Sequence, residues 1–288
     1  MASTCPPFSV IIPAYNEELG IAQTLDDLHQ VLRNAQCAYE VVVVNDGSGD
    51  RTADLLDSRT DCRIIHHQQN QGYGAALKTG IRSATYPIIA IIDGDGTYPQ
   101  NAIPHLVALM DEADMVVGSR TGENVTYPFI RKVPKYFLVR FAQWIAKRPI
   151  PDLNSGLRVF RKDVAERFFK ILPDTFSFTT TITLSMLTNR YRVRYEPIDY
   201  HARLGRSKIK PIRDTARFVQ LILRVGVYFA PLRVFLPIAS IFYLCSLASL
   251  AHDIFVEWNL TDTTVILFVF ATQVTLFALL ADMLDKRV

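Results

Sequence analysis

The chain has 288 residues, enough for one catalytic domain with a sizeable core and a small appendage. Hydrophobic residues make up 49% and the mean hydropathy is +0.14, high for a wholly soluble enzyme. A net charge of only +3 gives no bulk-charge argument for binding nucleic acid, and that class is set aside.

The N-terminus, Met1 to Pro7, lacks a basic region followed by an apolar run, so no signal peptide is expected. The first half then alternates short apolar runs with longer helical stretches. Phe8–Ile12, Val41–Val44, Arg63–Ile65, Pro87–Ile92 and Met115–Val117 read as strands. They are short, β-branched and nearly continuously apolar, as strands covered on both faces are. Glu17–Arg33, Asp50–Asp57, Gly74–Ser83 and Pro99–Glu112 read as the intervening helices. This alternation predicts an α/β fold with a mostly parallel sheet flanked by helices. Ligands then bind beyond the carboxyl ends of the strands. Residues 119–160 read as irregular, Thr175–Asn189 as an amphipathic segment, and Tyr191–Pro197 as a further strand. Cys5, Cys37, Cys62 and Cys245 show no C-x-x-C or zinc spacing and are expected to be free thiols in a reducing compartment.

The apolar excess lies after residue 230. Val234–Ala251 and Thr263–Ala281 are uncharged runs of 18 and 19 residues. Each can cross a hydrocarbon core of about 30 Å. The loop between them holds Asp253, Glu257 and Asp262 and no Lys or Arg. Lys208, Lys210, Arg213, Arg217, Arg224 and Arg233 precede the first span, and Lys286 and Arg287 follow the second. The positive-inside rule thus predicts an integral membrane protein with its catalytic domain and both termini cytoplasmic. Pro211–Phe229 carries Arg213, Arg217 and Arg224 on one face and Leu221, Ile222, Val225 and Phe229 on another, as an interfacial amphipathic helix does. The expected organisation is a catalytic domain over 1–210, an interfacial helix over 211–230, and a two-helix transmembrane hairpin over 231–288.

The strongest chemical signal is Ile91-Ile92-Asp93-Gly94-Asp95-Gly96-Thr97, an apolar strand running into two carboxylates. Carboxylates at the end of a buried strand are costly unless a charge meets them. A divalent cation bridging a diphosphate fits, because Mg²⁺ and Mn²⁺ prefer oxygen ligands. Two other strands end in polar loops, Pro13-Ala14-Tyr15-Asn16-Glu17 and Asn45-Asp46-Gly47-Ser48. With Asn70-x-Gly72-x-Gly74-x-Ala76 and the Asp-Gly-Asp triplet, these make the first 210 residues resemble the family 2 glycosyltransferases of the GT-A, Rossmann-like fold. Within that family the chain looks most like the polyprenyl-phosphate glycosyltransferases of the dolichol-phosphate mannose synthase group. Gly118-Ser119-Arg120, Asp152-x-x-Ser155-Gly156-x-Arg158 and Arg203 with Ser207-Lys208 carry that likeness, and the hairpin suits one of its subgroups.

The resemblance implies a metal-dependent, inverting hexosyltransferase that moves a sugar from a UDP- or GDP-sugar to a polyprenyl phosphate. Pro13, Tyr15, Glu17, Asp46, Asp93 and Gly94 would line the nucleotide pocket. Asp93, Asp95 and Thr97 would serve Mg²⁺ or Mn²⁺, although some relatives carry Gln where this chain has Thr97. Arg120, Arg131, Ser155, Arg203 and Lys208 would hold phosphate and acceptor, with arginine suited to a bidentate grip on phosphate oxygens. Asp152 would orient the acceptor, or act as base if the acceptor were a hydroxyl. The alternatives are a family 2 transferase that glycosylates a glycan or another hydroxyl, with the hairpin only an anchor, and a non-catalytic nucleotide-sugar-binding partner. An interfacial helix and hairpin also suit a homo-oligomer. Three signals are declined. Leu77 stands where a P-loop needs its second glycine. His66 and His67 point to opposite faces of a strand. Asn259-Leu260-Thr261, a sequon in form, lies too near the bilayer.

Overall fold

The computed structural model describes residues 5–35, 37–121, 132–200, 224 and 226–285. The chain divides into two compact units, Met1–Lys210 and Pro211–Val288.

The first unit is a seven-stranded mixed sheet flanked by helices. Its strands are β1 (Phe8–Ala14), β2 (Tyr39–Asn45), β3 (Arg63–His66), β4 (Ile88–Ile91), β5 (Met115–Ser119), β6 (Arg158–Arg161) and β7 (Val193–Pro197). The spatial order is β3-β2-β1-β4-β6-β5-β7. Every pairing is parallel except those of β6, which runs antiparallel to both β4 and β5. The parallel strands β1, β2, β4 and β5 all end at one edge, and β6 begins there. The loops after residues 14, 45, 91 and 119 and the loop before residue 158 therefore converge on that edge. β6 was not anticipated: it is four residues bounded by arginines, and its first residue, Arg158, is fully buried.

The helices are α1 (Ile21–Asn34), α2 (Thr52–Asp57), α3 (Tyr73–Ser83), α4 (Ile103–Ala108, between two 3₁₀ turns), α5 (Lys132–Ala146), α6 (Lys162–Arg167) and α7 (Phe178–Thr188). Alternation along β1 divides the core. Phe8, Val10, Ile12 and Ala14 pack with Leu25, Leu28 and Leu106 on one side of the sheet, while Ile11 packs with Leu77, Ile81, Phe178 and Ile182 on the other. The segment expected to be amphipathic is in fact enclosed: every residue from Phe178 to Leu187 is buried. Its hydroxyls tolerate this by turning back onto its own carbonyls, Thr183 to Thr179 and Ser185 to Thr181, each at 2.8 Å.

The expectation of four free thiols is corrected. Cys5 and Cys37 form a disulfide, while Cys62 and Cys245 are free. The register explains the pairing: Phe8 stands opposite Tyr39, so the chains leading into β1 and β2 arrive side by side, with Cα atoms 5.3 Å apart. The basis for assigning a reducing compartment is thereby lost. The bridge closes a loop with a sequence separation of 32 residues. Its reduction is expected to lower stability by roughly 3–4 kcal/mol on loop-entropy grounds. Denaturant unfolding with and without reductant, repeated on Cys5→Ser, measures this; an unchanged midpoint would refute it.

The second unit is a hairpin of α8 (Pro231–His252) and α9 (Asp262–Asp285), joined through a π-helical turn at Asp253–Glu257. The helices meet through Phe235–Phe277, Phe242–Phe270 and Tyr243–Phe268 ring contacts and through buried Ala239, Ala271 and Ala278. At the turn, Asp253 accepts hydrogen bonds from Thr261 and Thr264. Both helices are long and apolar enough to cross a membrane. Their outward faces carry exposed Leu244, Leu247, Ile266 and Leu280. Apolar faces of this extent suit a hydrocarbon solvent better than water.

Candidate active site

The converging edge of the sheet is stitched together by side chains. Asn16 N–H donates to Ser48 Oγ at 3.0 Å, Glu17 N–H to Thr52 Oγ1 at 2.9 Å, and Gly49 N–H to Asn16 Oδ1 at 2.8 Å, locking the loops after β1 and β2 together. Tyr15 remains exposed on this edge, whereas Pro13 is buried within β1. Asp46 is buried. Its carboxylate accepts from Gln71 N–H and Gly72 N–H at 2.9 and 2.8 Å and lies 2.7 Å from His67 Nδ1. In this structure Asp46 thus braces the loop before α3. His66 and His67 have separate partners, Asn45 and Asp57 for one, Asp46 and Thr79 for the other.

The glycines of the Gly72-x-Gly74 segment serve a packing role. Gly72 has φ +107°, and a Cβ on either glycine would strike the backbone of residues 173–175. Gly74 N–H donates to the Asp174 carbonyl at 2.9 Å, so the start of α3 is filled by protein.

Asp93 and Asp95 follow β4 and are both half-buried. Tyr73 O–H donates to Asp93 Oδ1 at 2.8 Å. Burial and the neighbouring Asp93 charge push the Tyr73 phenol well above its ordinary pKa, so it stays a donor. Asp95 Oδ1 accepts from Thr97 N–H at 3.2 Å and from Thr97 Oγ1–H at 2.6 Å. Thr97 itself is fully buried. Gly94 is buried against Ile12 and Ile21, which fixes the triplet over the start of α1. Two carboxylates two residues apart form a hard-oxygen donor set suited to Mg²⁺ or Mn²⁺ once a diphosphate adds its own oxygens. Among the described residues no group of three or more His, Cys, Asp or Glu could hold a metal without such help.

The loop into β6 forms the other wall. Gly156 packs directly on the Asp93 carboxylate, and its N–H donates to the Tyr98 hydroxyl at 2.6 Å. Burial, reinforced by Asp93, raises the Tyr98 phenol. Asp152 is buried and takes a two-pronged contact from Arg120, Nε at 2.7 Å and Nη2 at 2.8 Å, together with the N–H groups of Arg120 and Asn154. The Arg120 guanidinium also lies 5.3 Å from the Tyr200 ring centre. Ser155 is buried, and its hydroxyl donates to the Gly118 carbonyl at 2.5 Å. Arg131, Arg203, Lys208 and most of the expected interfacial helix lie outside the described residues. Sequence reasoning did not single out Tyr73, Tyr98 or the bracing role of Arg158. Only the last carried a signal, because Arg158 closes the Asp152-x-x-Ser155-Gly156-x-Arg158 motif.

The profile of glycosyl transferase family 2 matches residues 9–169, more than half of the chain. The chain belongs to glycosyl transferase family 2. The GtrB C-terminal hairpin profile matches residues 230–286, covering α8 and α9. Among curated relatives, this family 2 chain is 26% identical over 224 residues to the dolichyl-phosphate hexose transferase of Haloferax volcanii, covering 77% of this chain and 95% of that one. It is 28% identical to the undecaprenyl-phosphate mannosyltransferase of Micrococcus luteus, covering 69% and 86%. It is also 31% identical to the dolichol-phosphate mannosyltransferase of Pyrococcus furiosus, covering 55% and 47%, so the aligned part spans about half of that relative. Among solved structures, glucosyl-3-phosphoglycerate synthase from Mycobacterium tuberculosis, in complex with Mn²⁺, UDP-glucose and phosphoglyceric acid, matches with a TM-score of 0.61 at 17% identity. That match covers 76% of this chain and 80% of the other, and it supports the GT-A fold.

Proposed function

We propose that this family 2 glycosyltransferase moves a hexose-type sugar from a UDP- or GDP-sugar to a polyprenyl phosphate at the cytoplasmic face of a membrane. The observation that carries the reading is the pairing of two walls at one sheet edge: Asp93 and Asp95 on one side, the buried Arg120–Asp152 pair on the other. Relatives whose names specify dolichyl- or undecaprenyl-phosphate support the acceptor class, and the C-terminal hairpin supports a lipid-borne acceptor.

Asp93 and Asp95 would hold Mg²⁺ or Mn²⁺, which supplies positive charge against the leaving nucleoside diphosphate. Thr97 would support this set by orienting Asp95. The loops carrying Tyr15, Glu17 and Asp46 would frame base and ribose. An oxygen of the acceptor phosphate attacks the anomeric carbon as the bond from that carbon to the diphosphate oxygen breaks, and one displacement inverts the configuration. The acceptor is already an anion, so no base has to remove a proton. This agrees with Asp152, whose carboxylate is engaged by a guanidinium, and argues against the hydroxyl-acceptor alternative, which needs an available base. Arg120, held at fixed orientation, would present positive charge to the acceptor phosphate, with Arg131, Arg203 and Lys208 as further contacts. The basic residues flanking the hairpin support an orientation with both termini and the catalytic unit on the cytoplasmic side.

The test is transfer by the purified full chain in lipid, offered polyprenyl phosphate and radiolabelled UDP- and GDP-sugars in turn. A labelled polyprenyl-phosphate sugar is expected from one donor. Label appearing only on hydroxyl acceptors would refute the reading.

A further inference from the structure

Arg158 is the largest fully buried side chain among the described residues. Burial alone pulls its guanidinium toward a lower pKa, and a charge so placed is costly unless its hydrogen bonds are complete. They are distributed in a particular way. Nε and Nη2 donate to the Ser155 carbonyl at 3.1 and 2.6 Å, and Nη2 also approaches the Leu153 carbonyl at 3.5 Å. Nη1 donates to the Thr179 carbonyl at 3.1 Å and to Thr183 Oγ1 at 2.8 Å. One planar fork therefore ties the loop before β6 to the first turns of α7. A leucine or methionine would fill similar volume without the cost of burying a charge, but could not bridge these carbonyls. The tied loop also carries Asp152, which holds Arg120, and Gly156, which packs on Asp93.

Building on the transferase reading above, we propose that Arg158 is a positioning residue for transfer, fixing the 152–157 loop so that the Arg120–Asp152 pair and the Asp93 carboxylate stand at a set separation. It acts through that loop and touches no substrate.

Lysine keeps the charge but concentrates its donors on one nitrogen, which cannot span both sides of the fork. Arg158→Lys is expected to lower kcat by about 100-fold, the scale set by ångström-level misplacement of reacting groups. Thr183→Val removes one anchor on α7 and leaves Arg158 in place, so it is expected to give a smaller loss of the same kind. The discriminating measurement is a double-mutant cycle in kcat between Arg158→Lys and Asp152→Asn. If Arg158 works through the loop, the double variant is little worse than the poorer single variant. Losses that multiply, or an Arg158→Lys protein that folds and keeps at least half of wild-type kcat, overturn the proposal. Hydrogen exchange, read without any substrate, is expected to rise in the 152–157 peptide of Arg158→Lys and stay unchanged in β1 and β2; a protected 152–157 peptide also overturns it. Wild-type transfer to polyprenyl phosphate tests the acceptor reading separately. Should that fail, the exchange result and a cycle run on donor hydrolysis still decide the role of Arg158.

Discussion

Asp95→Asn is expected to lower sugar transfer on the order of 1000-fold while leaving the fold intact. The asymmetry follows from the local bonding. Asp95 Oδ1 accepts from the N–H and hydroxyl of Thr97, and an asparagine carbonyl oxygen can accept both bonds in the same place. The turn over α1 therefore keeps its frame, and the melting temperature should shift by no more than an ordinary surface substitution allows. What is lost is a negative charge that a divalent cation needs, together with an oxygen of the carboxylate. Charge stabilisation of a leaving diphosphate is worth several kcal/mol, so the rate should fall on the order of 1000-fold. Two measurements check this: transfer rate over a series of Mn²⁺ concentrations, and Mn²⁺ retention with nucleoside diphosphate read by electron paramagnetic resonance. A variant that holds Mn²⁺ and turns over normally would remove Asp95 from the metal set.

The parts of this site that were legible in the sequence were those written locally. Apolar runs such as Val41–Val44, followed at once by polar residues, announce strand ends, and strand ends at one edge announce a ligand site. Asp93, Asp95, Tyr15 and Asp46 were picked out as candidates in this way, and the strands they follow do end at one edge. The contacts that were not legible depend on register or on distant loops. The Arg120–Asp152 pair joins residues 32 apart in sequence, across the antiparallel β6. The cysteines of Cys5–Cys37 meet only because Phe8 pairs with Tyr39. The Gly72-x-Gly74 spacing looks like phosphate chemistry, yet its cause is the backbone of residues 173–175 lying against α3. Arg158 falls in a stretch, 119–160, that reads as irregular, and nothing local says that the carbonyls of one loop and the first turns of α7 will enclose it. Ser155 and Thr97 follow the same pattern: their hydroxyls face inward to Gly118 and Asp95, a direction that residue type does not encode.

Gly156→Ala is expected to cost catalysis far more than stability. A Cβ at position 156 would sit 2.7 Å from Asp93 Cγ and close on both carboxylate oxygens, well inside van der Waals contact. Gly156 cannot easily retreat, because its N–H is held by Tyr98, the Ser155 carbonyl before it accepts from Arg158, and the Leu157 carbonyl after it accepts from Gly118 N–H. The carboxylate must shift instead, against its hydrogen bond from Tyr73. Overpacking of this kind costs about 1–3 kcal/mol of stability, and less where a flexible group absorbs it. Catalysis has no such latitude: displacing Asp93 by about 1 Å is expected to lower kcat roughly 100-fold. Gly74→Ala provides the contrast. Its Cβ would strike the Pro173 carbonyl and the Asp174 backbone, which cannot rotate away, so that variant should lose stability first. Comparing kcat per folded molecule with the unfolding midpoint for the two alanines separates the effects. If Gly156→Ala keeps wild-type kcat, the close packing of the 152–157 loop on Asp93 does not set the catalytic geometry.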